Sequence, residues 1–449
     1  MQLTRRGKIL RERVIRSAGI VAVLVTSAVA AAPLPFEGKD RHEGVASCAG
    51  SNCHGASHPA ADSHILQSEY LTWERKDAHS NAYKLLLSPA GKRIAANLGL
   101  KSAESAAECL TCHADYVPEA QRGRRYQVSE GVTCEACHGG AQNWIGPHIN
   151  GATHQENLAN GLYPLEEPAA RAKVCLHCHF GSDEKKIDHR IMGAGHPALS
   201  VDFELDSNTS SQPAHFKVDD DYRKRKGFES DVKVWAVGQI ASSQFLLDGL
   251  TSDRFKDHGL FPELIFFDCN ACHHPMQPPR WASGVGGTLG PGEVRLADAS
   301  LVISGAIIEV LQPNSAKQWS ESLADLRRAC DQSVVKIREA AGPLKKIVND
   351  AASAIAQHKI TRSEAAAIMG KLASAGVERD AASYSAAKQI YYALDAFRAW
   401  LAQEGVKSAA FDKSMDQMFG AVDATIKYDP ETMRAALRNA RSALTSIGG

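Results

Sequence analysis

Five short runs, each with a histidine directly after the second of two closely spaced cysteines, constrain this chain more than any other feature. Four have the form Cys-x-x-Cys-His: Cys109, Cys112 and His113 in CLTCH; Cys134, Cys137 and His138 in CEACH; Cys175, Cys178 and His179 in CLHCH; Cys269, Cys272 and His273 in CNACH. The fifth, CAGSNCH, carries Cys48, Cys53 and His54, with four residues between its cysteines. Ten of the eleven cysteines are used in this way, and Cys330 is left over. Cys-x-x-Cys-His is the attachment signal for a c-type haem: two thiols add to the porphyrin vinyl groups and the adjacent imidazole reaches the iron from one face. The spacing is short because all three groups must meet one small rigid disc. Paired CxxC units also build zinc ribbons, and thiols in an exported chain also form disulfides. Neither requires a histidine after every second cysteine, so the expected cofactor is haem c, five times and covalently attached. At Cys48 and Cys53, where the longer loop must bulge, a disulfide stays open.

The N-terminus reads as a secretory signal over residues 1–30. Arg5, Arg6, Lys8, Arg11, Arg13 and Arg16 precede an apolar run from Ala18 to Val29, and Ala28-Val29-Ala30 offers a small-residue cleavage site. The apolar run is short for a membrane span. The expected location is therefore the periplasm. Arg5-Arg6 also suits a twin-arginine signal, but that route carries folded proteins, whereas haem attaches after export to an open chain. Without residues 1–30, 45 basic and 50 acidic residues remain. That balance argues against nucleic acid as a partner. No other apolar run approaches the length of a membrane helix, so membrane association is expected only through a partner. The sequence does not set the oligomeric state.

The expected fold is mainly α: a haem-packed domain over 31–282 with few regular strands, a Gly/Pro-rich linker over 283–296, and a helical bundle over 297–449. Residues 31–47 read as an extended lead-in. EYLTWERKDAHSNAYKLL predicts a helix from about Ser63 to Leu87 with His79 in its middle, ended by Ser88-Pro89. Residues 109–197 are dense in haem units, so regular structure should be scarce there. Trp144 stands close to a unit and is expected either flat on a porphyrin or in the ordinary core. Residues 200–230 read as a polar connector, and 231–250 as an amphipathic helix. In the bundle, four or five helices are expected. Thr361 with Glu364 forms a capping box, and Asp429-Pro430 suits an N-cap and first turn. Cys330 should be buried and inert, and His358 exposed.

EYLTW with His79, GVTCEACHGGAQNW with His148, IDHRIMGAGHP with His189 and His196, PAHF with His215, and FDCNACHH together resemble the multihaem cytochromes of the cytochrome c-554 family. The resemblance spans roughly residues 45–282. It implies haems in close pairs with mostly bis-histidine iron, and distal ligands at His79, His148, His189 and His196. A fifth is drawn from His215, His58, His64 and His154, of which His215 joins the ligand set. The additional haem unit and the long C-terminal segment depart from the four-haem form of the family.

Haem supplies redox chemistry, while the protein sets distance, orientation and potential. Iron closed by a second imidazole passes electrons, whereas open iron binds small ligands. Five of the 18 histidines follow cysteine pairs and 13 remain, enough to close every iron. The expected function is thus a relay of single electrons between other redox proteins, a donor and an acceptor, with no catalytic residue assigned. The alternative is a multihaem oxidoreductase acting on nitrite, hydroxylamine or tetrathionate at one open haem.

Overall fold

The computed structural model describes residues 33–61, 63–197, 203–227, 229–255, 262–269, 295–423 and 428–447. The expected signal peptide, Cys272, His273 and most of the expected linker lie outside the described residues. Within them the chain is mainly α, with no strand; isolated bridges join His42 with Arg122 and Phe267 with Leu296. No helix among them is long and apolar enough to cross a membrane. From Pro33 onward the chain forms one compact unit.

Helices are short where the cysteines are dense. They run Ala107–His113, Cys134–His138, Ile145–Ile149, His154–Ala159, Pro168–His179 and His189–Gly193. A small core of Leu86, Ala95, Ala103, Leu110 and Ala114 lies among the first of these elements. The helix expected from 63 to 87 is broken. It begins at Glu69, stops at Lys76, turns through Ala78–Asn81 and resumes at Ala82–Leu86. Asp77 causes the break: its backbone is extended and its carboxylate accepts the His79 backbone N–H at 3.0 Å. An Asp that binds the backbone two residues ahead offers the chain an alternative to helix. His79 therefore sits on a tight turn rather than in mid-helix. Ser88 and Pro89 start the next helix, Pro89–Asn97, with the Ser88 hydroxyl accepting Gly91 N–H.

The connector over 203–227 contains two helices, Leu205–Ser211 and Asp220–Lys226. The following helix, Asp231–Thr251, is not amphipathic but buried on nearly all sides. It packs against Pro168–His179, Leu205–Ser211, Ala299–Leu311, Val334–Gln357 and Tyr384–Gln403. Its polar residues are paired inside. Lys233 Nζ donates to the Ile355 carbonyl at 2.6 Å and also to that of His358, at the C-terminus of Val334–Gln357. Terminal carbonyls lack partners within their helix, and a cation there also complements the helix dipole. Gln239 donates to Gln389 at 2.6 Å, and Ser243 bonds Ser304 at 2.8 Å.

Among the described residues from Ala299 to Ile447 there are seven α-helices rather than four or five. The capping box of Thr361 and Glu364 forms, and Asp429 accepts Thr432 N–H at 3.0 Å. Cys330 is part-buried, and burial pushes its thiol up to about 12, so it stays protonated. His358 is half-buried rather than exposed, and pairs with Glu364 at 3.0 Å. One large core runs from Ala172 on the helix Pro168–His179, through Trp235 and Leu247, to Ile447.

Candidate haem-binding site

Each described Cys-x-x-Cys-His unit with its histidine in place presents that ring to one histidine from elsewhere in the chain. His54 faces His148 at 6.1 Å between ring centres, His179 faces His79 at 6.2 Å, His113 faces His196 at 6.1 Å and His138 faces His215 at 6.4 Å. A metal–imidazole bond is about 2.0–2.1 Å and a ring nitrogen lies about 1.1 Å from its ring centre, so two imidazoles on opposite sides of one metal ion have centres about 6.2 Å apart. The four separations thus suit one iron between each pair.

Hydrogen bonds orient several of these rings. His54 Nδ1 pairs with Glu69 at 3.0 Å, His79 Nδ1 with Asp77 at 2.9 Å, His113 Nδ1 with the Ala82 carbonyl at 2.8 Å and His196 Nδ1 with the Pro197 carbonyl at 2.8 Å. Fixing Nδ1–H leaves Nε2 as the free donor to a metal, the usual arrangement of a ligating histidine. Asp77 is itself held by Gln212 Nε2 at 2.8 Å. Burial would raise its carboxyl, but the bonds from His79 and Gln212 outweigh that and hold it down to about 2. Burial pushes His138 down to about 3, with His215 and Lys226 adding to the effect. It also lowers His113, His148 and His179. The ring is then neutral, the form that binds metal.

No two of the ten described cysteines are joined by a disulfide. The Cys48 and Cys134 thiols are in hydrogen-bond contact, as are those of Cys112 and Cys178. The unit at Cys48 therefore lies beside that at Cys134, and the unit at Cys109 beside that at Cys175. Cys53 is exposed, as the bulged loop requires. Gly55 is needed behind that loop, because a Cβ there would meet the Ala49 carbonyl oxygen at 2.0 Å. Gly139, at φ +83°, ends the helix Cys134–His138 in a conformation that side chains rarely adopt. Apolar side chains stand open next to paired rings: Ile149 after His148 and Phe216 after His215 are both exposed. Trp144 is buried edge-on to His148 at 5.8 Å, and its indole N–H meets no acceptor.

The remaining site candidates divide. Among the described residues, His215 is the one of His215, His58, His64 and His154 that meets a unit histidine. His64 is bound to Asp219 at 3.0 Å, His154 to Glu166 at 2.5 Å, and His58 is exposed. His189 starts the helix His189–Gly193, with its N–H on Glu263 at 2.8 Å, and faces no histidine among the described residues. Cys269 is exposed.

Several supporting residues were not legible in the sequence. Glu135, a variable position inside CEACH, is buried and accepts three backbone N–H groups, from Glu43, Gly44 and Ala141, at 2.7–2.8 Å. It pins the N-terminal lead-in to the haem unit. His42 is buried against Asp115 at 2.9 Å, and Thr133 donates to the same carboxylate. Phe203 packs on His179 at 5.2 Å. Asp77 alone gave a signal, two residues before a histidine.

Residues 47–139 match the family model described as cytochrome c554 and c-prime. That match supports reading this segment as a c-type cytochrome of the same family. The matched segment holds the units at Cys48, Cys109 and Cys134, together with His79. The cytochrome c554 match ends before the units at Cys175 and Cys269, which are read from their motifs. No curated protein and no solved structure matches the chain.

Proposed function

We propose that the chain carries five covalently attached haem c groups and relays single electrons between other redox proteins in the periplasm. When bound, haem c supplies a one-electron ferric–ferrous couple. The cysteines Cys48, Cys53, Cys109, Cys112, Cys134, Cys137, Cys175, Cys178, Cys269 and Cys272 form the thioethers. His54, His113, His138, His179 and His273 provide the first imidazole, and His148, His196, His215, His79 and His189 the second, in that order.

The observation that carries the reading is the set of four facing histidine pairs at 6.1–6.4 Å. Two imidazoles on each iron exclude exogenous ligands and favour outer-sphere electron transfer over substrate chemistry. The cross-unit thiol contacts support two close haem pairs, one from the units at Cys48 and Cys134 and one from those at Cys109 and Cys175. Asp77 and Glu69 raise the basicity of His79 and His54 as ligands. Residues 1–30 act as a cleaved signal, residues 31–282 bind the haems, and the bundle over 297–449, reached through 283–296, covers the long helix Asp231–Thr251. Donor and acceptor are other redox proteins, and membrane association runs through one of them.

The test is the mass of the intact mature chain together with the electron paramagnetic resonance spectrum of its oxidised form. Five added haem masses and only low-spin ferric signals are expected. A chain without bound tetrapyrrole sinks the reading, and a high-spin haem that binds carbon monoxide and turns over nitrite or hydroxylamine replaces it with the oxidoreductase alternative.

A further inference from the structure

Two part-buried cations, Arg171 and Lys226, form no ion pair among the described residues, and of nearby carboxylates Glu166 acts on both only at a distance. Arg171 lies one helical turn before Cys175 on the helix Pro168–His179. Its Nε is buried without a hydrogen-bond partner, and its guanidinium forms no ion pair among the described residues. Lys226 ends the helix Asp220–Lys226, and its ammonium sits 5.2 Å over the Tyr222 ring. It too has no ion pair among the described residues. Burial pushes the pKa of both groups down.

The acids nearby do not fill the gap. Glu166 is taken by His154 at 2.5 Å. Asp206 is pushed up to about 8 by burial, with Glu204 and Asp231 adding to it, so it is protonated at neutral pH. A cation held partly out of water without an ion pair is costly, and both of these lie beside Tyr222, Lys226 over its ring and Arg171 within electrostatic reach of it, so an anion placed there is stabilised by both. The site adjoins the histidine pair through a run of rings. Tyr222 stacks on Phe216 at 5.6 Å and 20°, Phe216 meets His215 at 5.8 Å, and His215 faces His138. The charge of Lys226 also reaches His138 and His148.

We propose that Arg171 and Lys226 bind the carboxylates of the haem held between His138 and His215. Haem c carries two such carboxylates, its propionates. A guanidinium grips a carboxylate through two parallel N–H bonds and an ammonium acts as a point charge. The inference rests on the haem reading above and adds a role to it: two positive charges at this haem favour the reduced state and raise its potential above that of a similar haem without them.

Arg171→Gln and Lys226→Gln test this in the full-length haem-loaded protein. Intact mass and the low-spin resonance spectrum report haem binding, and an optical redox titration reports potentials. With all five haems retained, one component of the titration should move to lower potential in both variants. Arg171→Lys should recover most of the shift, and Lys224→Gln, an exposed cation on the same helix, should cause none. Should Arg171→Gln lose a haem that Arg171→Lys keeps, the clamp is supported as well, and Lys226→Gln then supplies the potential. Unchanged titrations in both glutamine variants with five haems bound overturn the inference and leave the haem reading standing. An unmodified parent protein without haem overturns the haem reading itself.

Discussion

His54 and His148 stack 15° from parallel, whereas the other three facing pairs lie at 84–86°. Perpendicular imidazoles leave the two iron dπ orbitals that they perturb nearly equal in energy, and parallel imidazoles split them. The oxidised protein should therefore show one rhombic low-spin signal beside several strongly anisotropic ones with large g values. A spectrum with only rhombic signals contradicts the ring geometry. His148→Ala should remove the rhombic signal and leave the others.

Replacing a second imidazole should open one iron. In His215→Ala, one haem of the five should become high-spin and bind carbon monoxide, with the other four unaffected. Optical titration with carbon monoxide gives the stoichiometry. An unreactive variant would mean that His215 does not hold the iron faced by His138.

Asp77 takes the Nδ1–H of His79 at 2.9 Å and is braced by Gln212 at 2.8 Å. Losing its charge makes His79 a weaker electron donor, which disfavours ferric iron. Asp77→Asn should raise the potential of the haem between His79 and His179 without changing haem content. Gln212→Ala should shift it in the same direction by less. Outer-shell partners of this type typically matter by about 10–100-fold in metal affinity or activity.

Gly55→Ala tests the bulged unit. An added Cβ would overlap the Ala49 carbonyl, so the loop cannot keep Cys48, Cys53 and His54 around one ring. The variant should carry four haems by intact mass, with the deficit at this unit after proteolysis.

Asp298 is 2% exposed and is held by Arg295 at 3.1 Å and Arg327 at 2.7 Å. Burial would raise its carboxyl, but the two guanidiniums outweigh that and keep it below its ordinary 3.8. A depressed folded value contributes stability that is fully present above 3.8 and lost as the pH falls through the folded value. Asp298→Asn should cost about 3 kcal/mol at neutral pH, because it removes the nearer carboxylate from two part-buried guanidiniums and leaves them only Asp380, at 3.9–4.0 Å. The difference from the parent should shrink in denaturant titrations run below about pH 4.

Much of the site was written in the chain because its chemistry is local. A thiol, a second thiol and an imidazole must reach one disc, so their spacing is short enough to read directly. The second imidazoles come from distant segments. His215 could not be told from His58, His64 or His154 until the fold placed it opposite His138 and gave His64 and His154 carboxylate partners. The broken helix at Asp77 was misread because apolar spacing continued across it while a side-chain cap interrupted the backbone. The helix Asp231–Thr251 was misread as amphipathic because its lysine, glutamine and serines look solvent-facing in sequence. Only the packed chain shows that Lys233, Gln239 and Ser243 meet buried partners.

That long helix has a further consequence. Lys233 ends on carbonyls of Val334–Gln357, Gln239 on Gln389 and Ser243 on Ser304, while its other neighbours include the helix that bears Cys175. Severing the protein before Ala299 would strand an ammonium and an amide in a greasy wall beside the cofactors. The wall cannot close until the chain through Tyr384–Gln403 is in place, so cofactor attachment has until then to act on an accessible chain.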